Sequence, residues 1–364
     1  LDLSLFVSGS HLSPEFGRTA VTIEEDGFPV AARIEMLLSS DSPEGIAKSM
    51  GLGIVGFAQA FGAGRPDILL VYGDRFEMHA AALAALPFRI PVAHIHGGEV
   101  TEGAIDESLR HSITKLSHLH FTATQDYARR VVQMGEEPWR VSVSGAPTLD
   151  NLQTMRIPGC AEIGDRIGMD LAAGPLLVTF HPATLEYDLA SAQMADLLAV
   201  LHASQLPVVF TMPNADTGGR VLRERIGEFV AKHPIARAVE SLGTEHYFGL
   251  MRLARAMVGN SSSGIIEAPS FGLPVVNIGS RQRGRTRGAN VIDVGVSQEE
   301  IARGLEHALD PVFREGLRGC PNPYGDGHAA ERIVSRLASV HLGSDLITKR
   351  FHDLPGTGEG KEVR

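Results

Sequence analysis

The chain has 364 residues, more than one ordinary hydrophobic core accommodates and enough for two α/β domains. Apolar residues make up 43% and charged residues 21%, the balance of a globular enzyme rather than of a disordered chain. The net charge of −10 argues against general nucleic-acid binding but leaves room for an anionic ligand held by a few placed arginines.

Cys160 and Cys320 are the only cysteines. They form neither a metal spacing nor a disulfide framework, which fits a reducing cytosol. No apolar run approaches the ~20 residues of a membrane span. The opening Leu1–Gly9 is apolar but short and lacks a basic flank, so it reads as a strand and not as a signal peptide. A cytoplasmic protein with no membrane partner is expected.

In chain order, Leu3–Ser8, Ile68–Tyr72, Val92–Ile95 and His118–Thr122 read as buried parallel strands, with helix-like segments at Glu77–Leu86 and Ile105–Lys115 between them. The rhythm pauses over Leu149–Ala172 and resumes with strands at Leu176–Phe180, Val208–Thr211, Ala256–Gly259 and Val275–Ile278. This places an N-terminal domain over 1–157 and a second over 158–325. An amphipathic helix follows within 326–355, able to pack back on the first domain, and residues 356–364 form a disordered tail. Polar clusters stand at the strand ends, where open α/β sheets bind ligands, and together they describe an interdomain cleft.

Gly259-Asn-Ser-Ser-Ser-Gly264 runs from a strand into a helix expected from about Ile265. Small residues let backbone N–H groups approach an anion at a helix N-terminus; the alternative is a serine N-cap with no ligand. Glu267, one turn inside, suits ribose hydroxyls or the helix dipole. Arg281-Gln-Arg-Gly-Arg285 offers guanidinium forks for diphosphate, or is a solvated basic loop. Asp74 and Arg75 stand side by side at a strand end, where Asp74 could equally cap the next helix. In His94-Ile-His96-Gly-Gly-Glu99, alternation would put both imidazoles on one strand face, but no third ligand has metal spacing. Asp106 and Arg110, four residues apart, could simply pair on a helix surface. His181 before Pro182 is either structural or functional.

Five stretches together resemble the hydrolysing UDP-N-acetylglucosamine 2-epimerases of the bacterial sialic-acid and nonulosonate branch. They are GDRFE at 73–77, HIHGGEVTEGAIDESLRHSITKLSHLHF at 94–121, FHPATLE at 180–186, PNADTG at 213–218 and GNSSSGIIEAPSFGLPVVNIGSRQRGR at 259–285. The resemblance covers nearly the whole chain and implies a GT-B-like fold of two Rossmann-like domains. It assigns UDP contacts to His181, Asn214, Ser261, Ser262, Ser263, Gly264, Glu267 and Arg281, with Arg75 near the diphosphate. It gives the sugar-facing acid/base roles to Asp74, His96 and Asp106, with Glu99 available beside them. Many relatives carry glutamate where this chain has His96. The sequence starts at what reads as the family's second strand, without the arginine loop that follows the first. The implied reaction converts a UDP-N-acetylhexosamine into UDP and a free 2-epimer, with no cofactor and no metal, in a homodimer or homotetramer. UDP-N-acetylglucosamine is the expected substrate; a UDP-2,4-diacetamido-6-deoxy sugar is the alternative. A GT-B glycosyltransferase and a non-catalytic UDP-sugar sensor are the rival readings.

Overall fold

Short, mainly apolar runs of three to five residues become parallel strands in both halves of the chain. The computed structural model describes residues 1–14, 19–38, 42–101, 105–181, 189–212 and 219–354. The chain divides into two units: Leu1–Glu99 with Ile105–Ser144 and Ala330–Arg364, and Val100–Ala104 with Gly145–Ala329.

In the first unit, β1 (Leu5–Ser8) pairs in parallel with β2 (Val30–Ile34). A four-stranded parallel sheet runs β3 (Leu69–Tyr72), β4 (Val92–Ile95), β5 (Leu119–Thr122), β6 (Val141–Val143) in spatial order. Every residue of β4 and β5 is buried, as expected of central strands covered on both faces. Helix Pro43–Ala63 is opened by Ser42, whose Oγ accepts from Gly45 N at 3.1 Å, with proline at the first helical position. It packs Phe57 and Phe61 into the core with Val71, Ile90 and Ile113. This helix is long and apolar enough, by length and composition, to cross a bilayer, which the sequence reading did not anticipate. Its close seat explains Gly53, where a Cβ would lie 2.6 Å from Met36 Cε and 3.1 Å from Ala80 Cβ.

The stretch after Ala329 belongs to this first unit. Ile333 and Leu346 share a core with Ala93, Ile95, Leu119 and Phe121. Buried Arg140 donates to the carbonyls of Leu346 (2.8 Å), Asp345 (2.9 Å) and Thr348 (3.0 Å). Residues 355–364, which include the expected tail, lie outside the described residues.

The second unit is a six-stranded parallel sheet of β7 (Leu176–Thr179), β8 (Val208–Thr211), β9 (Ala236–Val239), β10 (Ala256–Gly259), β11 (Val275–Ile278) and β12 (Val291–Val294). Its spatial order is β12-β11-β10-β7-β8-β9. Counted from β7 this is the 3-2-1-4-5-6 order of nucleotide-binding folds, and the order reverses between β7 and β10. Alternate strand residues feed two cores. Leu176, Val178, Val208 and Phe210 face one; Leu177, Val209, Met257 and Val275 face the other.

The change of unit falls at Gly145 and not near Pro158. The segment without strand rhythm is a helical layer: helix Cys160–Ile167 inserts Ile163 and Ile167 into the second core beside Phe248 and Leu250. Those apolar residues recur at helical rather than strand spacing, so the segment resembles a linker only when strands are sought.

Candidate functional site

In the first unit, the loops after β3 and β4 meet the helix Ile105–Leu116. Gly73 leaves β3 at φ +81°. Asp74 follows it, with about 29% of its side chain exposed, and its carboxylate accepts from Arg110 Nη2. The N-cap of the next helix is Arg75, so Asp74 is turned away from the capping role. Arg75 forms a two-point pair with buried Glu77, at 3.1 and 3.2 Å. Asp106 stands within electrostatic reach of Asp74, Arg75 and Arg110. Burial, and next the charge of Asp74, raise its pKa.

β4 ends at Ile95, and His96 has φ +70°, a left-handed backbone that a β-substituted residue rarely adopts. The strand alternation therefore stops, and the two histidines of H-x-H part company. His94 is wholly buried; its Nε2 donates to Gly73 O at 2.8 Å, its Nδ1 lies 3.2 Å from Thr114 Oγ1, and burial depresses its pKa to about 3. His96 instead donates from Nδ1 to Glu99 Oε1 at 2.5 Å, and its Nε2 is 3.2 Å from the Tyr72 hydroxyl. Glu99 is buried, so its carboxylate is positioned and not merely available. The Gly97-Gly98 turn lies against the helix Gln125–Gln133: a Cβ on Gly98, at φ +79°, would fall 2.4 Å from Tyr127 O. Among the described residues no three His, Cys, Asp or Glu side chains gather in a metal-binding arrangement.

In the second unit, the serine turn follows β10 at the point where strand order reverses. Gly259 leaves the strand at φ +138°, where a Cβ would lie 2.0 Å from Thr179 O, so only glycine fits between β10 and β7. Asn260 staples the two strand ends: its Oδ1 accepts from His181 N and its Nδ2 donates to His181 O, both at 2.8 Å. The carbonyl of Asn260 in turn accepts from Arg281 Nη1 at 3.0 Å and Gln282 Nε2 at 2.8 Å. Arg281 is exposed and Gln282 buried, so the arginine loop is anchored through Gln282 while Arg281 remains at the surface. Ser261 Oγ accepts from Ser263 N at 3.3 Å. The Tyr247 hydroxyl lies near Ser263, Thr179 and Ser261, and burial pushes its pKa up.

The helix expected from about Ile265 is a single turn, Ser263–Ile266, followed by a 3-10 turn over Ala268–Phe271. Pro269 supplies no backbone donor, which ends the α-helical ladder there. Gly264 lets this turn sit close on β11, since a Cβ would meet Val275 Cγ1 at 2.8 Å. Glu267 closes the turn and is half-buried.

Asp74, Arg75, His96, Glu99 and Asp106 thus gather in one cluster of the first unit. His181, Ser261, Ser262, Ser263, Gly264, Glu267 and Arg281 lie at or beside the strand reversal of the second. Asn214 lies outside the described residues. Sequence reasoning missed Tyr72, Asn260, Tyr247 and Gln282, and it misjudged Arg110. Asn260 had a signal, an amide directly at a strand end beside the serines. Tyr247 had none, because its partners lie far away in sequence.

The family model described as UDP-N-acetylglucosamine 2-epimerase matches residues 1–338. A UDP-N,N'-diacetylbacillosamine 2-epimerase (hydrolyzing) from Legionella pneumophila is 39% identical over 96% of this chain and 91% of its own length. A UDP-N-acetylglucosamine 2-epimerase from Neisseria meningitidis is 31% identical over 97% of this chain and 92% of its own. The fold is that of a crystal structure of a Neisseria meningitidis UDP-GlcNAc 2-epimerase bound to UDP-GlcNAc. The TM-score is 0.78, with 20% identity in the structural alignment, covering 93% of this chain and 100% of that one.

Proposed function

Because the chain belongs to the UDP-N-acetylglucosamine 2-epimerase family, we propose that it hydrolyses a UDP-2,4-diacetamido-6-deoxy sugar to UDP and the free 2-epimeric sugar. Hydrolysing UDP-sugar 2-epimerisation is the coarser part of this reading, and the family carries it. The choice of sugar replaces the sequence expectation of UDP-N-acetylglucosamine. Identity to the relative named for the diacetamido sugar, at 39%, exceeds that to the one named for UDP-N-acetylglucosamine, at 31%. Family membership also favours an epimerase over a glycosyltransferase or a sensor.

The observation that supports catalysis best is the gathering of Asp74, Asp106 and the His96–Glu99 pair at adjacent strand ends of one unit. Epimerisation at C2 needs two proton-transfer groups, one for each face of the sugar. One of them takes the C2 proton while the C1–O bond to UDP breaks, its electron pair leaving on the diphosphate, to give a 2-acetamidoglycal. Water then adds its hydroxyl at C1 as the other group delivers its proton to C2 from the opposite face, and the proton that water gives up replaces it on that group. Asp74 and Asp106 are the pair for this work. The C2 proton is weakly acidic, so stabilising the leaving UDP must share the burden. Arg281 and the N-terminal end of the serine turn, at Ser261 and its N-cap Ser262, are suited to that charge in the second unit, with Glu267 toward ribose.

The test is turnover of the two UDP-sugars in deuterium oxide, followed by proton NMR. A higher kcat/KM for the diacetamido substrate is expected, with deuterium at C2 of the free product. Preference for UDP-N-acetylglucosamine would overturn the substrate assignment, and retention of the original C2 proton would overturn the elimination.

A further inference from the structure

Arg110 reads in the sequence as the surface partner of Asp106, but its side chain is only 2% exposed. Nη2 donates to the Asp74 carboxylate. Nη1 donates to the backbone carbonyl of Glu99 at 3.0 Å and to Glu107 Oε2 at 2.8 Å. The second oxygen of Glu107 accepts from His111 Nε2 at 3.0 Å. These acceptors come from three separate segments: the end of β3, the loop after β4, and the first turn of the helix that holds Asp106. A guanidinium is a rigid planar fork, so it fixes the directions of all its acceptors at once, as a lysine ammonium on a flexible stem does not. A buried cation recovers its desolvation cost only with those acceptors in place, so each segment is held where the fork requires it.

We propose that Arg110 is a positioning residue for the chemical step and acts through Asp74, whose carboxylate it clamps to the helix that carries Asp106. This rests on the epimerase reading, in which the separation of the two carboxylates decides whether both faces of C2 are served. Arg110 itself points into protein and needs no contact with the sugar.

Arg110→Lys keeps the charge and loses the fork. Misplacing a reacting group by about 1 Å costs roughly 10²-fold, so kcat should fall by that order while KM and UDP affinity change little. The discriminating measurement is the double variant. If Arg110 acts through Asp74, Asp74→Asn with Arg110→Lys should be no slower than Asp74→Asn alone, because residues acting as one unit are non-additive. Should Arg110→Lys fail to fold, Glu107→Gln, which loosens one arm of the clamp, takes its place in the same cycle. Wild-type kcat in the single variant, or losses that multiply in the double variant, would overturn the proposal. Failure of the wild-type protein to release UDP from either UDP-sugar is a different result, and it would overturn the epimerase reading.

Discussion

His96 donates from Nδ1 to the buried carboxylate of Glu99 across 2.5 Å, from a backbone held at φ +70°. In the neutral imidazole this contact puts the proton on Nδ1 and leaves Nε2 to accept from the Tyr72 hydroxyl, 3.2 Å away. A non-glycine residue in this region costs about 1–3 kcal/mol, a strain that persists where surrounding structure enforces it. Two substitutions separate strain from chemistry. His96→Gly suits the left-handed backbone but takes a hydrogen bond from the buried Glu99 carboxylate, so the two effects on thermal stability oppose each other, while kcat falls roughly 10²–10⁴-fold if the imidazole transfers protons. Glu99→Gln keeps the size and removes the charge, and should lower kcat with UDP affinity intact. An active His96→Gly protein would leave the imidazole a structural role only.

Asp106 carries the clearest electrostatic signature in the cluster. Its pKa is raised by burial and then by the negative charge of Asp74, while Arg110 and Arg75 oppose the rise. A raised pKa moves the pH at which this carboxylate becomes a base upward, so the acid limb of kcat/KM should be displaced upward from where an unperturbed aspartate would put it. Asp74→Asn removes the neighbouring charge, so the Asp106 carboxyl should titrate at lower pH, visible by carbon NMR of labelled aspartate. An Asp106 titration that does not move in Asp74→Asn would show that the two groups do not interact.

The second unit makes its own prediction. Arg281 is poised at the surface by the Asn260 carbonyl, and Arg281→Ala should weaken UDP binding by roughly 1.5–3 kcal/mol, the range for hydrogen bonds to charged groups. Asn260→Ala should act on stability instead: it leaves the backbone groups of His181 without their partners, costing about 1–3 kcal/mol, while the backbone carbonyl that holds Arg281 and Gln282 is kept. Calorimetry with UDP and denaturant titration measure the two separately. Unchanged UDP affinity in Arg281→Ala would remove that residue from the nucleotide site.

The strands that were legible in the sequence are mostly the central ones. β4, β5, β7 and β10 are buried along their whole length and read as mainly apolar runs, β4 and β5 each interrupted by one histidine, His94 and His120. The unread strands are marked by polarity or brevity: β9 and β12 are the edges of the six-stranded sheet and carry Arg237 and Asp293, β6 has three residues, and β2 contains Arg33. Edge strands need bury only part of their surface, so the apolar signal is diluted. The site residues at strand ends followed from the same rhythm. Arg110 did not, because its partner Asp74 lies 36 residues away and local spacing offered a nearer carboxylate.

Acid should unfold the first unit early, and the reason is its buried histidines. Burial depresses His94 to about 3 and His118 to about 4, and it also lowers His120. Glu136 is held down to about 2, despite burial, by hydrogen bonds from His120, Lys115 and Lys349. The sign is the same for all four groups. Each has a folded pKa below its unfolded value, so the unfolded chain binds more protons between the two values and stability falls as pH drops. For His94 the loss begins near pH 6.5, its ordinary value, and continues to about 3. For Glu136 it begins near 4.5. Each histidine contributes about 1 kcal/mol per pH unit within its window. Trp139 is the only tryptophan and belongs to the same unit, so its fluorescence during denaturant titration reports on this unit. His94→Gln can still donate to Gly73 O but cannot gain a proton. Its stability at pH 7 should therefore be close to or below that of the wild type, with a shallower decline between pH 6.5 and 5 by about one proton's slope. Equal slopes in the two proteins would mean that His94 is not the group whose protonation is linked to unfolding.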